Sequence, residues 1–211
     1  YAPDLIKLYN DRDRPLVLNI SGKGVEDSLS RMKRAHTCGF RVITVNGACP
    51  NKADQPILCD DPDAVDELFE RAAEEIGETD TVFLWKVSCG MRRPMLALNK
   101  RHVMASRVFN GIITGNTIPN SLYYFDDVDD VRTAIKTEKN NIDRGGMSGP
   151  AILPIALDHT RFCAQDMPQG KVVLGCGGIM VPDDAIRYLR AGAHMVQLTT
   201  AWWEANEDPD F

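Results

Sequence analysis

The residues able to do chemistry lie in a few short stretches. Asn46-Gly47-Ala48-Cys49-Pro50-Asn51 sets a thiol between amides, directly after an apolar run. A free thiol ionises near pH 8.5, so a modest local shift gives useful thiolate near neutral pH, and a positioned thiolate can remove a proton. A serine in the same place would need far more help. The competing reading is a buried, inert cysteine. Lys86 is the charged residue of the apolar run Val82 to Ser88. A buried ammonium is costly unless something anionic meets it; otherwise the side chain lies at a strand end and reaches back to solvent. Gly115-Asn116-Thr117 ends another apolar run with an amide and a hydroxyl, although Asn also favours turns for local reasons. Gly149, Gly177-Gly178 and Thr199-Thr200 offer backbone that a ligand could approach closely, or simply tight turns.

These residues must be held by the elements before them. Apolar or β-branched runs at Leu16 to Ile20, Arg41 to Asn46, Val82 to Ser88, Gly111 to Thr117, Lys171 to Gly178 and His194 to Thr200 read as buried strands. Charged segments of helical period lie between most of them: Val25 to Thr37, Pro62 to Ile76, Lys100 to Arg107 and Asp183 to Ala191. Strand alternating with helix implies parallel strands joined by crossover helices. Small or polar residues close nearly every strand. In a closed (β/α)8 barrel such positions converge on one mouth, whereas an open sheet concentrates its ligand at one crevice. No GxGxxG follows the first strand, which argues against a dinucleotide fold. The expected architecture is therefore an α/β (β/α)8 TIM barrel in a single domain over residues 1–211, with about six of eight strands visible and the first strands missing. The Asp- and Lys-rich stretch 120–149 is expected to be an insertion or lid.

Composition narrows the function classes. The chain has 211 residues, 44% of them hydrophobic, enough for one sizeable core. A formal net charge of -6 argues against a nucleic-acid surface. No apolar run approaches the roughly 18 residues of a membrane span, and no leader opens the chain, so a cytoplasmic protein without a membrane partner is expected. Six cysteines without a CxxC pair read as free thiols. His36, His102, His159 and His194 lack ligand spacing, and no metal site is expected. Trp202 and Trp203 suit either a dimer surface or packing beneath the last helix.

The Asn46 to Asn51 loop closely resembles the Asn-Leu-Ser-Cys-Pro-Asn loop of the cysteine-type, class 1-like, FMN-dependent dihydroorotate dehydrogenases. The resemblance extends, in order and spacing, through Lys86, Asn116-Thr117, Gly145-Gly146-Met147-Ser148-Gly149, Gly175-Cys176-Gly177-Gly178 and Gly192 to Leu198. It covers about Pro15 to Ala201. It implies a flavoprotein oxidoreductase of pyrimidine biosynthesis converting dihydroorotate to orotate, in which FMN takes the C6 hydride and Cys49 removes the C5 proton. It further implies that Asn46, Asn51, Asn116 and Thr117 hold the pyrimidine. Asn46, Lys86, Gly115, Gly149, Gly177, Gly178, Thr199 and Thr200 would hold the flavin, with Lys86 beside the ring and the glycines and threonines around the phosphate. Thr199-Thr200 stands where relatives often carry Gly-Thr or Tyr-Thr.

Two departures fall in the pocket: Gly47-Ala48 replaces the usual Leu-Ser, and Ser88-Cys89-Gly90 replaces the commoner Ser-Pro-Asn. The Lys-Ser segment and Asn-containing substrate loop of the family's first two strands have no counterpart before Tyr1, in keeping with the expectation that the first strands are missing. A flavin barrel resembling dihydropyrimidine dehydrogenase, or a non-catalytic barrel serving as an interaction subunit, are the alternatives. Fumarate, an NAD-linked partner subunit or another acceptor could reoxidise the flavin; a membrane quinone fits the cysteine type less well. A homo-oligomer or an acceptor-supplying partner is expected.

Overall fold

The computed structural model describes residues 16–49, 57–121 and 145–207. Strands β1 (Val17–Ile20), β2 (Val42–Asn46), β3 (Val82–Lys86), β4 (Phe109–Ile113), β7 (Val172–Cys176) and β8 (Met195–Gln197) form one sheet in that order. Every pairing within it is parallel. A separate antiparallel ribbon pairs β5 (Ile118–Ser121) with β6 (Gly145–Met147), at the two ends of the stretch expected as an insertion; residues 122–144 lie outside the described residues.

Side-chain contacts establish that the main sheet curls. Parallel strands stand roughly 4.8 Å apart, so three intervals would part β3 from β8 by about 14 Å in a flat sheet, with side chains perpendicular to it. Yet Lys86 Nζ, at the end of β3, donates to Gln197 Oε1, at the end of β8, at 2.9 Å. The amides of Asn46 and Asn116, on either side of β3, likewise meet at 3.0 Å. Only an arc that turns its strand ends inward permits both, which is the curvature of a (β/α)8 barrel. Six strands of the barrel lie in the described residues.

Crossover helices cover the outside. Helix α1 (Val25–Thr37) turns Leu29, Met32 and Ala35 inward, the three-and-four spacing of an amphipathic helix. In α2 (Pro62–Glu75) Pro62 sets the first turn and Asp61 accepts the Ala64 N–H at 3.2 Å, so the helix starts at a fixed residue. Its Phe69 enters an aromatic cluster with Trp85 and Phe109, ring centroids 5.6 and 4.3 Å away. Completely burying a ring as large as Trp85 contributes roughly 4–6 kcal/mol by area.

Two helices depart from expectation. Helix α3 runs Arg93–Ala105 rather than from Lys100 to Arg107. Its inward stripe is Leu96, Asn99, Lys100 and Val103, and the two polar members break the apolar period. Asn99 is buried because it accepts from Trp85 Nε1 at 2.6 Å and donates to the carbonyls of Cys59 and Met95. Lys100 is buried because its amine caps the carbonyls of Phe162 and Gln165 at the end of the neighbouring helix. That helix, α4 (Leu153–Ala164), has no counterpart in the expected elements, because it buries the polar His159 and Thr160 while Ile155 is exposed, which blurs its apolar period. Helix α5 (Pro182–Arg190) matches its expected segment closely, and α6 (Thr200–Glu207) begins where the last strand was expected to end. The strands are also shorter at their ends than the apolar runs, since Ser88, Thr117 and Gly178 belong to loops.

Candidate active site

At the C-terminal ends of β3, β4, β7 and β8 lies a cavity of about 260 Å³. Its walls include Lys86, Asn116, Thr117, Ser148, Gly149, Cys176, Gly177, Gly178, Gln197, Thr199 and Thr200, with Ile152, Ile179 and Leu198 as apolar surface. Seven of the eight expected flavin or substrate positions after β3 therefore share one cavity; Gly115 is the exception. A Cβ on Gly115 would sit 1.7 Å from the carbonyl oxygen of Cys176, so this glycine lets β4 and β7 close on each other beneath the cavity.

Lys86 is 7% exposed. Its ammonium donates to Gln197 and lies against the Cys176 thiol, and no carboxylate among the described residues pairs with it. The alternative of a lysine reaching out to solvent is excluded by this burial. Burial pushes the Cys176 thiol up and the neighbouring ammonium pulls it part of the way back; Cys89, beneath it, is pushed up to about 12 by burial. Both thiols are thus protonated near neutral pH, and Lys86 is left as a buried positive charge with neutral neighbours. Such a group calls for an anionic ligand.

The glycine loops that line the same cavity are built for close backbone approach. Gly177 and Gly178 hold φ of 119° and 71°, and a Cβ at Gly178 would press on the Leu153 backbone at 2.7 Å. Tyr188 braces this loop by donating its hydroxyl to the Gly177 carbonyl at 2.6 Å, and Gly175 leaves room for the phenol ring. Thr199 and Thr200 open α6, whose first backbone N–H groups have no partner within the helix and favour an anion. A buried ammonium, glycine loops, a helix N-terminus and apolar surface around one cavity suit a flavin mononucleotide, which has a planar ring that is anionic when reduced and a phosphate.

Asn46 and Asn116 do something the sequence does not reveal. Asn116 Nδ2 donates to both Asn46 Oδ1, at 3.0 Å, and the Ala48 carbonyl, at 3.2 Å, and its own Oδ1 accepts from the Thr117 N–H. Asn46 Oδ1 also accepts from the Ala48 N–H at 3.1 Å. The two amides tie the cysteine loop to the end of β4. Cys49 follows Ala48 directly and is half-buried; neither it nor Asn46 is among the residues that line the cavity, to which Asn116 ties their loop. Asn51 lies outside the described residues. The loop is seated from below as well: the Gly47 N–H donates to the Lys86 carbonyl, and the Gly47 carbonyl accepts from the Cys59 N–H, both at 3.0 Å. A Cβ on Gly47 would lie 2.4 Å from the Trp85 ring, so the indole occupies the space where relatives carry leucine.

Motif spacing did not single out Gln197, which lines the cavity, or Tyr188, which braces its glycine loop. The signal for Gln197 was available, a lone amide on the short apolar strand Met195–Gln197. Tyr188 gave none, since a tyrosine on a helix can point anywhere.

An arc of parallel strands with a cationic, glycine-walled cavity at its C-terminal ends defines a (β/α)8-barrel protein with an anion-accepting mouth. Comparison with known proteins agrees. The family described as dihydroorotate dehydrogenase matches residues 3–208, and the chain belongs to that family. Dihydroorotate dehydrogenase (fumarate) of Trypanosoma cruzi strain CL Brener is 28% identical over 214 residues, covering 97% of this chain and 62% of the relative. Mitochondrial dihydroorotate dehydrogenase (quinone) of Schizosaccharomyces pombe is 39% identical over 92 residues, 44% of this chain and 18% of the relative. The DHODH of Eimeria tenella, solved in complex with ferulenol, superposes with a TM-score of 0.70 at 18% identity, covering 96% of this chain and 58% of that one, and supports the fold. The chain thus spans less than two thirds of the length of the relatives it matches from end to end. Among the described residues no helix is long and apolar enough to cross a membrane.

Proposed function

We propose that this chain binds FMN in the cavity and oxidises dihydroorotate to orotate, with Cys49 as the base. The observation that carries the proposal is Lys86, a buried ammonium without a carboxylate partner among the described residues, lining one cavity together with the glycine loops. FMN, when bound, supplies the acceptor for the hydride that leaves C6 of the substrate. Cys49 Sγ takes the proton from C5, so that the C5–C6 single bond becomes the double bond of orotate. Lys86 holds positive charge where the reduced ring carries negative charge, without reorganising during the reaction. Asn46 and Asn116 fix the loop from which Cys49 acts, and Thr117, with Asn51, contributes to holding the pyrimidine. Gly149, Gly177, Gly178, Thr199 and Thr200 bind the phosphate through backbone N–H groups. Gly115 supports this wall from behind. The stretch 120–149 is an insertion on this barrel.

The test is anaerobic mixing of FMN-loaded protein with dihydroorotate while flavin absorbance is followed, for the wild type and for Cys49→Ala. Rapid bleaching in the wild type, slowed by orders of magnitude in the variant, is expected. Bound flavin that dihydroorotate does not bleach would move the assignment to another dihydropyrimidine, and failure to take up flavin would refute it. Relatives are named for fumarate and for quinone, so reoxidation should be timed with each.

A further inference from the structure

Lys86 reaches its position from β3, yet what fixes its amine comes from the far end of the arc. Gln197 accepts from Nζ at 2.9 Å, and Cys176, its register partner on β7, lies against the same amine. All three line the cavity. An ammonium has three N–H donors on a flexible stem, and lysine loses up to about 2 kcal/mol of rotamer freedom when ordered. Without an acceptor, a buried lysine at a strand end would swing among orientations. Gln197 is well suited to stop this. Its carbonyl is neutral, so it orients the ammonium without cancelling the charge, which a carboxylate would do.

We infer that Gln197 is the positioning residue for Lys86, holding the ammonium at a fixed point in the cavity and thereby setting how strongly the protein prefers reduced over oxidised flavin. The inference rests on the FMN reading above for its consequence, but not for the clamp itself. Gln197 does not react; it acts through Lys86, and its removal should matter only while Lys86 is present.

Two measurements test this, with circular dichroism showing that each variant folds. The first needs no flavin: acylation of Lys86 by an amine reagent, followed by peptide mass spectrometry of the 211-residue chain. Gln197→Leu, which keeps the volume and removes the acceptor, should speed Lys86 acylation about tenfold, the order expected for losing one hydrogen bond to a charged group, while other lysines react as before. The second is the midpoint potential of the FMN-loaded protein. Gln197→Leu should lower the reduced-to-oxidised affinity ratio about tenfold, which is about 30 mV for a two-electron couple, and should leave the potential unchanged in a Lys86→Met background. Unchanged acylation overturns the inference, as does an equal shift in potential with and without Lys86. A chain whose acylation responds but which takes up no FMN would establish the clamp and refute the proposed function.

Discussion

The two halves of the arc are built differently. Around β2, β3 and β4 a continuous core of large side chains, with Phe83, Trp85, Phe109 and Leu68 fully buried, seats the cysteine loop from below. Around β7 and β8 the core is small, with Cys89, Ile152, Ala156, Ile179, Tyr188 and Ala193 as its buried members. Val181, Ile186, Leu189, Met195, Leu198 and Trp202 stay exposed there, with Trp202 at 63%. The first half holds the loop of Cys49, the proposed base, in place by packing. The second offers glycines and a helix end, the surfaces proposed above to take a phosphate. Chemistry that depends on one side chain sits on the rigid half, and binding that depends on backbone sits on the half that a ligand can complete.

The largest expected effect is on the rigid half. Trp85→Ala should destabilise by about 3–5 kcal/mol, the usual cost of truncating a buried aromatic, and it also leaves buried Asn99 without its indole donor. Urea unfolding checks this, and a loss below 1 kcal/mol would remove the contrast between the halves. Next, FMN at about a hundred times its dissociation constant should add roughly 2.7 kcal/mol. Hydrogen exchange should place most of the new protection at residues 145–152, 177–180 and 198–202 rather than in α1 or α2. Uniform protection would break the comparison from the other side. Third, Gly178→Ala should cost about 1–3 kcal/mol, since it adds a Cβ against the Leu153 backbone at positive φ, and should weaken FMN more than it weakens the fold.

The smallest effect is one of pH. His159, on α4, is buried, and that burial lowers its pKa from an ordinary 6.5, with the Arg93 charge adding to the shift. The unfolded chain therefore takes up this proton more readily than the folded one. The contribution is complete above pH 6.5 and is lost as pH falls below it. Thermal melts should show this slope in the wild type and a flatter one in His159→Gln; an unchanged slope would assign it to other groups.

Much of this was legible in the sequence, for physical reasons. Parallel strands flanked by helices are continuous apolar runs, so all six strands of the arc stand out, although β1 and β8 are only partly buried, and polar residues at the strand ends pointed to a mouth. Helix α3 was misplaced because its inward stripe carries Asn99 and Lys100, whose burial is explained only by partners 40 and 62 residues away in sequence. Lys86, Thr199 and the glycine pair could be found by type. The roles of Asn116 as a loop tie and of Gly115 as a strand-closing gap depend on neighbours that spacing does not reveal.

Trp85 and Gly47 form a matched pair, the ring filling the hollow that the missing side chain leaves. Neither can be exchanged alone for a residue of very different size. A graft of the commoner leucine-bearing loop would collide with the indole, and trimming the indole beneath the present loop would open a void. An engineer installing the commoner loop would therefore have to replace loop and strand together.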